Sequence, residues 1–280
     1  MIIKNIECVH KNDYFHPILD ELSKILDDSY VITLDPLTRE NPNRGTIETD
    51  SSKTNILLGL WDEYDTKFHR SLFDRFDFIF NQYITKEEED KFVNLFSLPL
   101  GYNGNIIEDG EHIQPIKSIK ERSIDAFFSG HLSSKQRYES MIENINFLNA
   151  SLERKKYKFD FNVTNGFMRG FKGPEYYSRL YNSKVAFCPP GNISAETYRM
   201  YEAMMCGCVV VGPKLPDTAI YRNIPIVQVQ DFGSDGAKTI LDILSDDTAL
   251  QEIQNKTIEF FNNTYSAKAV SQYIFNKIKL

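Results

Sequence analysis

Cysteine is scarce in this chain, four in 280 residues, and Cys8, Cys188, Cys206 and Cys208 each sit in or beside an apolar run. Buried free thiols are therefore expected. The Cys206-x-Cys208 pair lacks a second pair or a nearby histidine, which argues against a zinc site. Positive charge is in the minority, with 32 Lys and Arg against 39 Asp and Glu and a formal net charge of −7. That balance excludes a global basic field for nucleic acid or an anionic membrane, although ERKKYK at 153–158 shows that local basic clusters exist. No apolar run approaches membrane-spanning length, and the opening MIIKNIECVHKND is too short and polar for a signal peptide. The expectation is a reduced, cytoplasmic protein, in which the sequons at Asn162 and Asn192 carry no meaning. Internal repeats and low-complexity tracts are absent as well. No convincing Asp-x-Asp stands at a strand end. The Asp residues of FDFIF and KFDFN lie inside strand-like runs, and Asp246-Asp247 reads as a helix cap, so no metal site is expected.

What is present suffices for two modest cores, with 41% hydrophobic and 25% charged residues. IIKNIECV, VITL, NILLGLW and FDFIFN read as strands, and PILDELSKIL as a helix with Ile18, Leu22, Ile25 and Leu26 on one face. In TKEEEDKFVNLF, Thr85 and Glu88 form a capping box, so the acidic run is the solvated first turn of a helix. Residues 101–123 mix Gly, Pro and charge without a period, which places the linker there. A second alternation then follows. SIDAFFSG, YKFDFNV, KVAFC and IPIVQV are strands, set among helical patterns from Ser134 to about Ser151, in GPEYYSRLYNS, in DGAKTILDILS and in DTALQEIQNKTIEFFNNTYS. The tail SAKAVSQYIFNKIKL is amphipathic through Val270, Ile274 and Ile278. Strands alternating with helices predict a parallel α/β architecture in two Rossmann-like units. The boundaries are an N-terminal α/β domain at 1–115, a C-terminal one at 116–265, and a final helix at 266–280 that can pack back on the first domain. Ligands of such sheets bind beyond the carboxyl ends of the strands.

The stretch NSKVAFCPPGNISAETYRMYEAMMCGCVVVG, residues 182–212, holds the densest chemistry. Pro189 and Pro190 stop a strand, Gly191 allows a sharp turn or a close approach, and Ser194 is placed to cap a helix with Glu196 in its first turn. Arg199 and Glu202, three apart, lie one turn above the other on that helix. The order of helix N-terminus, guanidinium and carboxylate suits a nucleotide diphosphate, with amides and Arg199 on phosphate and Glu202 on ribose hydroxyls. The alternative at the same spacing is an Arg–Glu pair on a solvated face.

From Tyr176 to about Asp231 the chain resembles the nucleotide-sugar-binding half of exostosin-like glycosyltransferases. The resemblance is carried by SKVAFCPPGNIS, YRMYEA and MCGCVVVG, with AFFSGHLSSKQR similar to the start of the same domain and SLPLGYNG to the segment before it. It covers roughly half the chain and departs at Val210, where the family often has Pro. It implies the GT-B fold, two Rossmann-like domains facing a cleft, with the donor on the C-terminal domain and the acceptor on the N-terminal one. Carried over, Arg199 binds the donor phosphates and Glu202 the ribose, while Gly130, Arg137, Gly191, Asn192, Ser194 and Thr197 line the donor pocket. His131 is placed to contact the donor sugar, and Arg169 and Lys172 of NGFMRGFKGPE are within the same set of phosphate candidates. Phe127, Phe128 and Tyr198 either stack on a base or fill the core, the core being the ordinary outcome for such rings.

The expected reaction is transfer of a hexosyl or pentosyl group from a nucleotide diphosphate sugar to a hydroxyl of a saccharide or surface polysaccharide. Neither a cofactor nor a metal enters, the nucleotide sugar being the co-substrate. An inverting transfer needs a base, for which Asp13 is the choice among His10, Asp13, Asp62 and Glu63 at strand ends. Two alternatives stand beside this reading. One is a DNA-base glycosyltransferase of viral type acting on a hydroxymethylated pyrimidine, and the other is a non-catalytic nucleotide-binding module.

Overall fold

The computed structural model describes residues 1–9, 13–35, 47–60, 74–102, 114–166, 169–171 and 173–279, apart from the side chains of Cys8, Glu153 and Arg154. Candidates His10, Asp62, Glu63 and Lys172 lie outside the described residues. The chain divides into two compact units. The first comprises Met1–Gly104, Pro216–Arg222 and Asn263–Leu280, and the second Asn105–Leu215 and Asn223–Asn262. The segment 216–222 thus belongs to the first unit although the chain reaches it from the second.

In the first unit β1 (Ile2–Lys4), β2 (Tyr30–Asp35), β3 (Thr54–Gly59), β4 (Phe78–Asn81) and β5 (Leu95–Ser97) form a parallel sheet in sequential order. The central β2 and β3 are near-continuous Val, Ile and Leu runs because helices and loops cover a parallel sheet on both faces. α1 (Phe15–Ile25) buries Ile18, Leu19 and Leu22, whereas Ile25 is 43% exposed. The expected face of 18, 22, 25 and 26 fails at its end because the helix stops. Leu26 is extended and enters the core from there. α2 (Lys86–Lys91) carries the Thr85–Glu88 capping box and stops at an extended Phe92. Leu95 and Phe96, read in sequence as the end of that helix, instead pair with Ile79 and Phe80 as β5.

In the second unit β6 (Ile124–His131), β7 (Phe159–Thr164), β8 (Ser183–Phe187), β9 (Val209–Gly212) and β10 (Val227–Gln228) form a second parallel sheet, ordered β10-β9-β8-β6-β7. Its helices are α3 (Lys135–Ala150), α4 (Gly173–Tyr181), α5 (Tyr198–Met205), α6 (Ser234–Leu244) and α7 (Asp247–Phe260). The last helix, α8 (Ala267–Ile278), returns to the first unit. Its Val270, Ile274 and Ile278 join the core of Ile18, Leu22, Ile32 and Ile56. Among the described residues no helix is long and apolar enough to cross a membrane.

One buried cation ties the second unit together. Arg122 is 4% exposed and donates from Nε to the Lys117 carbonyl (3.1 Å), from Nη1 to that of Ser183 (2.6 Å) and from Nη2 to that of Cys206 (2.7 Å). Gly207 beside it has φ +69°, and a Cβ there would stand 2.6 Å from Ile116 Cγ2 and 3.1 Å from Arg122 Nη2. Cys188, Cys206 and Cys208 are buried free thiols, as expected. Burial raises all three, and Arg122 opposes the rise at Cys208, which stands at about 11.

Candidate functional site

The strand order of the second sheet reverses between β6 and β8. The chain leaves β6 for β7 on one side and β8 on the other, so their carboxyl ends open the crevice where ligands of α/β sheets bind. The register shows the gap. Pairing of β6 with β8 runs to Phe127↔Ala186, whereas pairing with β7 continues to His131↔Thr164. Ser129, Gly130 and His131 therefore run on with β7 alone as their partner in the ladder.

Arg199, one residue into α5, reaches this point. A Cβ on Gly130 would lie 2.9 Å from Arg199 Nη1 and 3.4 Å from its Cζ. The glycine is needed for close approach, since its backbone is not left-handed. The guanidinium carbon lies 5.5 Å from the centre of the Phe128 ring, within cation–π range. Arg199 Nε is buried and has no hydrogen-bond partner. Glu202 is 2% exposed, and the Tyr176 hydroxyl donates to its Oε2 at 2.8 Å. A carboxylate so placed is not half of a pair on a solvated face. Burial, with the Glu202 charge beside it, holds Tyr176 well above the usual tyrosine range.

Other expected residues gather around the same loop. Asn192 Oδ1 accepts from Arg137 Nη1 and from Ser133 Oγ, each at 2.5 Å, joining the start of α3 to the loop after β8. His131 Nδ1 is 3.1 Å from the Thr164 carbonyl. With a carbonyl as partner, Nδ1 carries the proton, and in the neutral ring Nε2 is the acceptor. Phe127 and Phe128 are core residues, and Tyr198 is 41% exposed. Arg169 is exposed in the loop after β7, where Phe171 stacks on Phe127 and Arg179 lies 3.8 Å above the Phe171 ring. In the first unit, Asp13 Oδ1 accepts weakly from the Phe15 amide (3.4 Å) at the start of α1.

Two local expectations are corrected. Ser194 does not cap α5. The helix begins at Tyr198 after an extended Thr197, and Ser194 Oγ accepts from the Glu196 amide instead (3.2 Å). Thr197 occupies the cap position but makes no side-chain cap bond. Glu196 consequently precedes the helix rather than charging its first turn, and it is 3% exposed. Burial alone pushes its carboxyl up to about 8. The sequence does not single out Tyr176, because Tyr176, Tyr177 and Leu180 read simply as the buried face of α4.

No protein-family model matches the sequence, and no curated protein matches it. Solved structures do match in fold. TarM superposes with a TM-score of 0.52 at 14% identity, covering 95% of this chain, which spans only 58% of TarM. An alpha1,3-fucosyltransferase gives 0.51 at 12% identity over 100% of this chain and 89% of its own. An alpha-glucosyltransferase in complex with UDP and a 13-mer DNA containing an HMU base gives 0.50 at 11% identity, over 94% and 83%. The chain therefore has the fold of GT-B glycosyltransferases, with two parallel α/β sheets of five strands each.

Proposed function

We propose that this protein is a nucleotide-sugar-dependent glycosyltransferase with an exostosin-like donor half. The observation that carries the reading is Arg199, a guanidinium with an unpartnered buried Nε, set against Gly130 at the strand-order reversal. In this scheme the uncapped amino end of α5 and Arg199 take the diphosphate, Glu202 takes the ribose hydroxyls, and Tyr176 fixes the Glu202 carboxylate. Gly191, Asn192, Ser194, Thr197, His131 and Arg137 line the donor pocket.

The acceptor hydroxyl attacks the anomeric carbon as the carbon–oxygen bond to the diphosphate breaks. The charge developing on the leaving oxygen is met by Arg199 and the α5 amides, with no metal in the scheme. Asp13 receives the hydroxyl proton in an inverting transfer. A saccharide acceptor is the leading choice, and duplex DNA with a hydroxymethylated pyrimidine is the alternative arm.

The test is a thermal-shift panel of UDP-, GDP-, CMP- and dTDP-sugars with EDTA, repeated on Glu202→Ala. A donor at about 100 times its Kd adds roughly 2.7 kcal/mol and raises Tm visibly. One responding donor, silent in the variant, is the expected result. Silence from every donor would reject the reading, and binding without acceptor-dependent release of nucleotide would leave a binding module. A sharper test of the geometry is Gly130→Ala. The new methyl crowds the flexible end of Arg199 and makes ordinary contact with Phe128 Cζ at 3.5 Å, so Tm should barely move. The displaced guanidinium should weaken donor binding about tenfold or more, which is a loss of ~1.4 kcal/mol.

A further inference from the structure

Glu196 Oε1, Thr197 Oγ1 and Arg199 Nε are all buried without a hydrogen-bond partner, three such atoms within four residues. Folded proteins rarely leave buried polar groups unmet, and a cluster of them in the segment that carries Arg199 to Gly130 marks a place completed by a ligand or water. The Arg199 atom belongs to the phosphate site proposed above, but Glu196 has no role there. It is not a helix-dipole residue, since it precedes α5. No charged neighbour explains it either. The charged groups that precede and follow it in its own segment, Lys184 on β8 and Arg199 and Glu202 on α5, contribute nothing to the rise of its carboxyl, for which burial is the sole cause.

We propose that Glu196 reads the bound nucleotide sugar as a neutral acid, donating its carboxyl proton in a hydrogen bond to a phosphate or sugar oxygen, so that binding is coupled to proton uptake. The inference rests on the donor-site reading. Only the neutral acid can donate to such an oxygen, because a carboxylate is acceptor-only. A carboxylate in this dry setting would also repel the diphosphate. With the free carboxyl half-ionised near pH 8, the ligand's own negative charge drives the remaining fraction to the neutral form.

The experiment is titration calorimetry with UDP-glucose, GDP-mannose and dTDP-glucose at about pH 6 and about pH 8, in two buffers of different ionisation heat. All three probes are diphosphate diesters, whose phosphates do not titrate in that range. Wild-type protein should take up about half a proton per ligand at pH 8 and almost none at pH 6, and Kd should weaken about tenfold by pH 9. Glu196→Gln keeps a neutral donor of the same shape. It should match wild-type affinity at pH 6, lose the proton uptake and flatten the pH profile. Binding by wild type without uptake at pH 8 overturns the inference whether or not the variant folds, and so does uptake that persists in Glu196→Gln. Failure of all three sugars to bind wild type at either pH overturns the donor-site reading itself, and this inference with it.

Discussion

Arg199→Ala should lower kcat/KM for sugar transfer by about 10²–10³-fold, a loss of roughly 2.7–4 kcal/mol of transition-state stabilisation. The size follows from the setting. The guanidinium lies against Gly130 and within cation–π range of the Phe128 ring, its Nε is desolvated, and it spends nothing on a protein partner at that atom. A preorganised donor aimed at developing charge gives more than the same group in water, because little reorganisation remains when the bond breaks. Arg199→Lys keeps the charge but loses the planar fork, so it should recover only part of the loss. The measurement is steady-state kinetics with the donor found in the panel, together with thermal melting to show that the fold persists. Wild-type kcat/KM in Arg199→Ala would move the phosphate site elsewhere.

Arg122→Met should be the most damaging single change to stability, costing about 3–5 kcal/mol and lowering the Tm of the second unit by roughly 10 °C. Methionine fills much of the stem volume but supplies no donors. The carbonyls of Ser183 and Cys206 would then sit in the core without the guanidinium that now meets them at 2.6 and 2.7 Å. Each unmet carbonyl costs about 1–3 kcal/mol. No carboxylate partner offsets the charge among the contacts described, so the carbonyl dipoles hold it. Differential scanning calorimetry with separate fits for the two units checks this. A Tm within a degree or two of wild type would mean that water replaces the guanidinium.

The repeated alternation of strand and helix, the Thr85–Glu88 box and the Arg199–Glu202 spacing were all readable, because local chemistry specifies them. The 280 letters carry the hydrophobic period of α1, but not the point where it unwinds, so the period puts Ile25 on a face that Leu26 fills from an extended backbone. β5 was invisible because three residues of strand after a capped helix look like its last turn, and only pairing with β4 distinguishes them. In the site, the residue types at 191–202 were legible while their roles in the local backbone were not. Which of Ser194 and Thr197 sits at the cap position depends on where α5 starts, and this in turn decides whether Glu196 is solvated or buried. Gly130 shows the same limit. A glycine at a strand end suggests a turn, and only the guanidinium lying against it shows that the missing methyl is the point.

The packing of α8 against α1 bears on the order in which the protein can be made. Most of the first unit, residues 1–104, leaves the ribosome before any of the second, yet its core includes Val270, Ile274 and Ile278. Nascent domains ordinarily close in the order of their synthesis. Here the second unit has all its residues once position 262 has emerged, while the first waits with an unfilled groove until the following helix is released. Neither unit is therefore a contiguous piece of the gene. A truncation removing α8 would open the core built on α1 at the other end of the sequence, and anything that delays release of that helix would prolong exposure of the apolar face of α1.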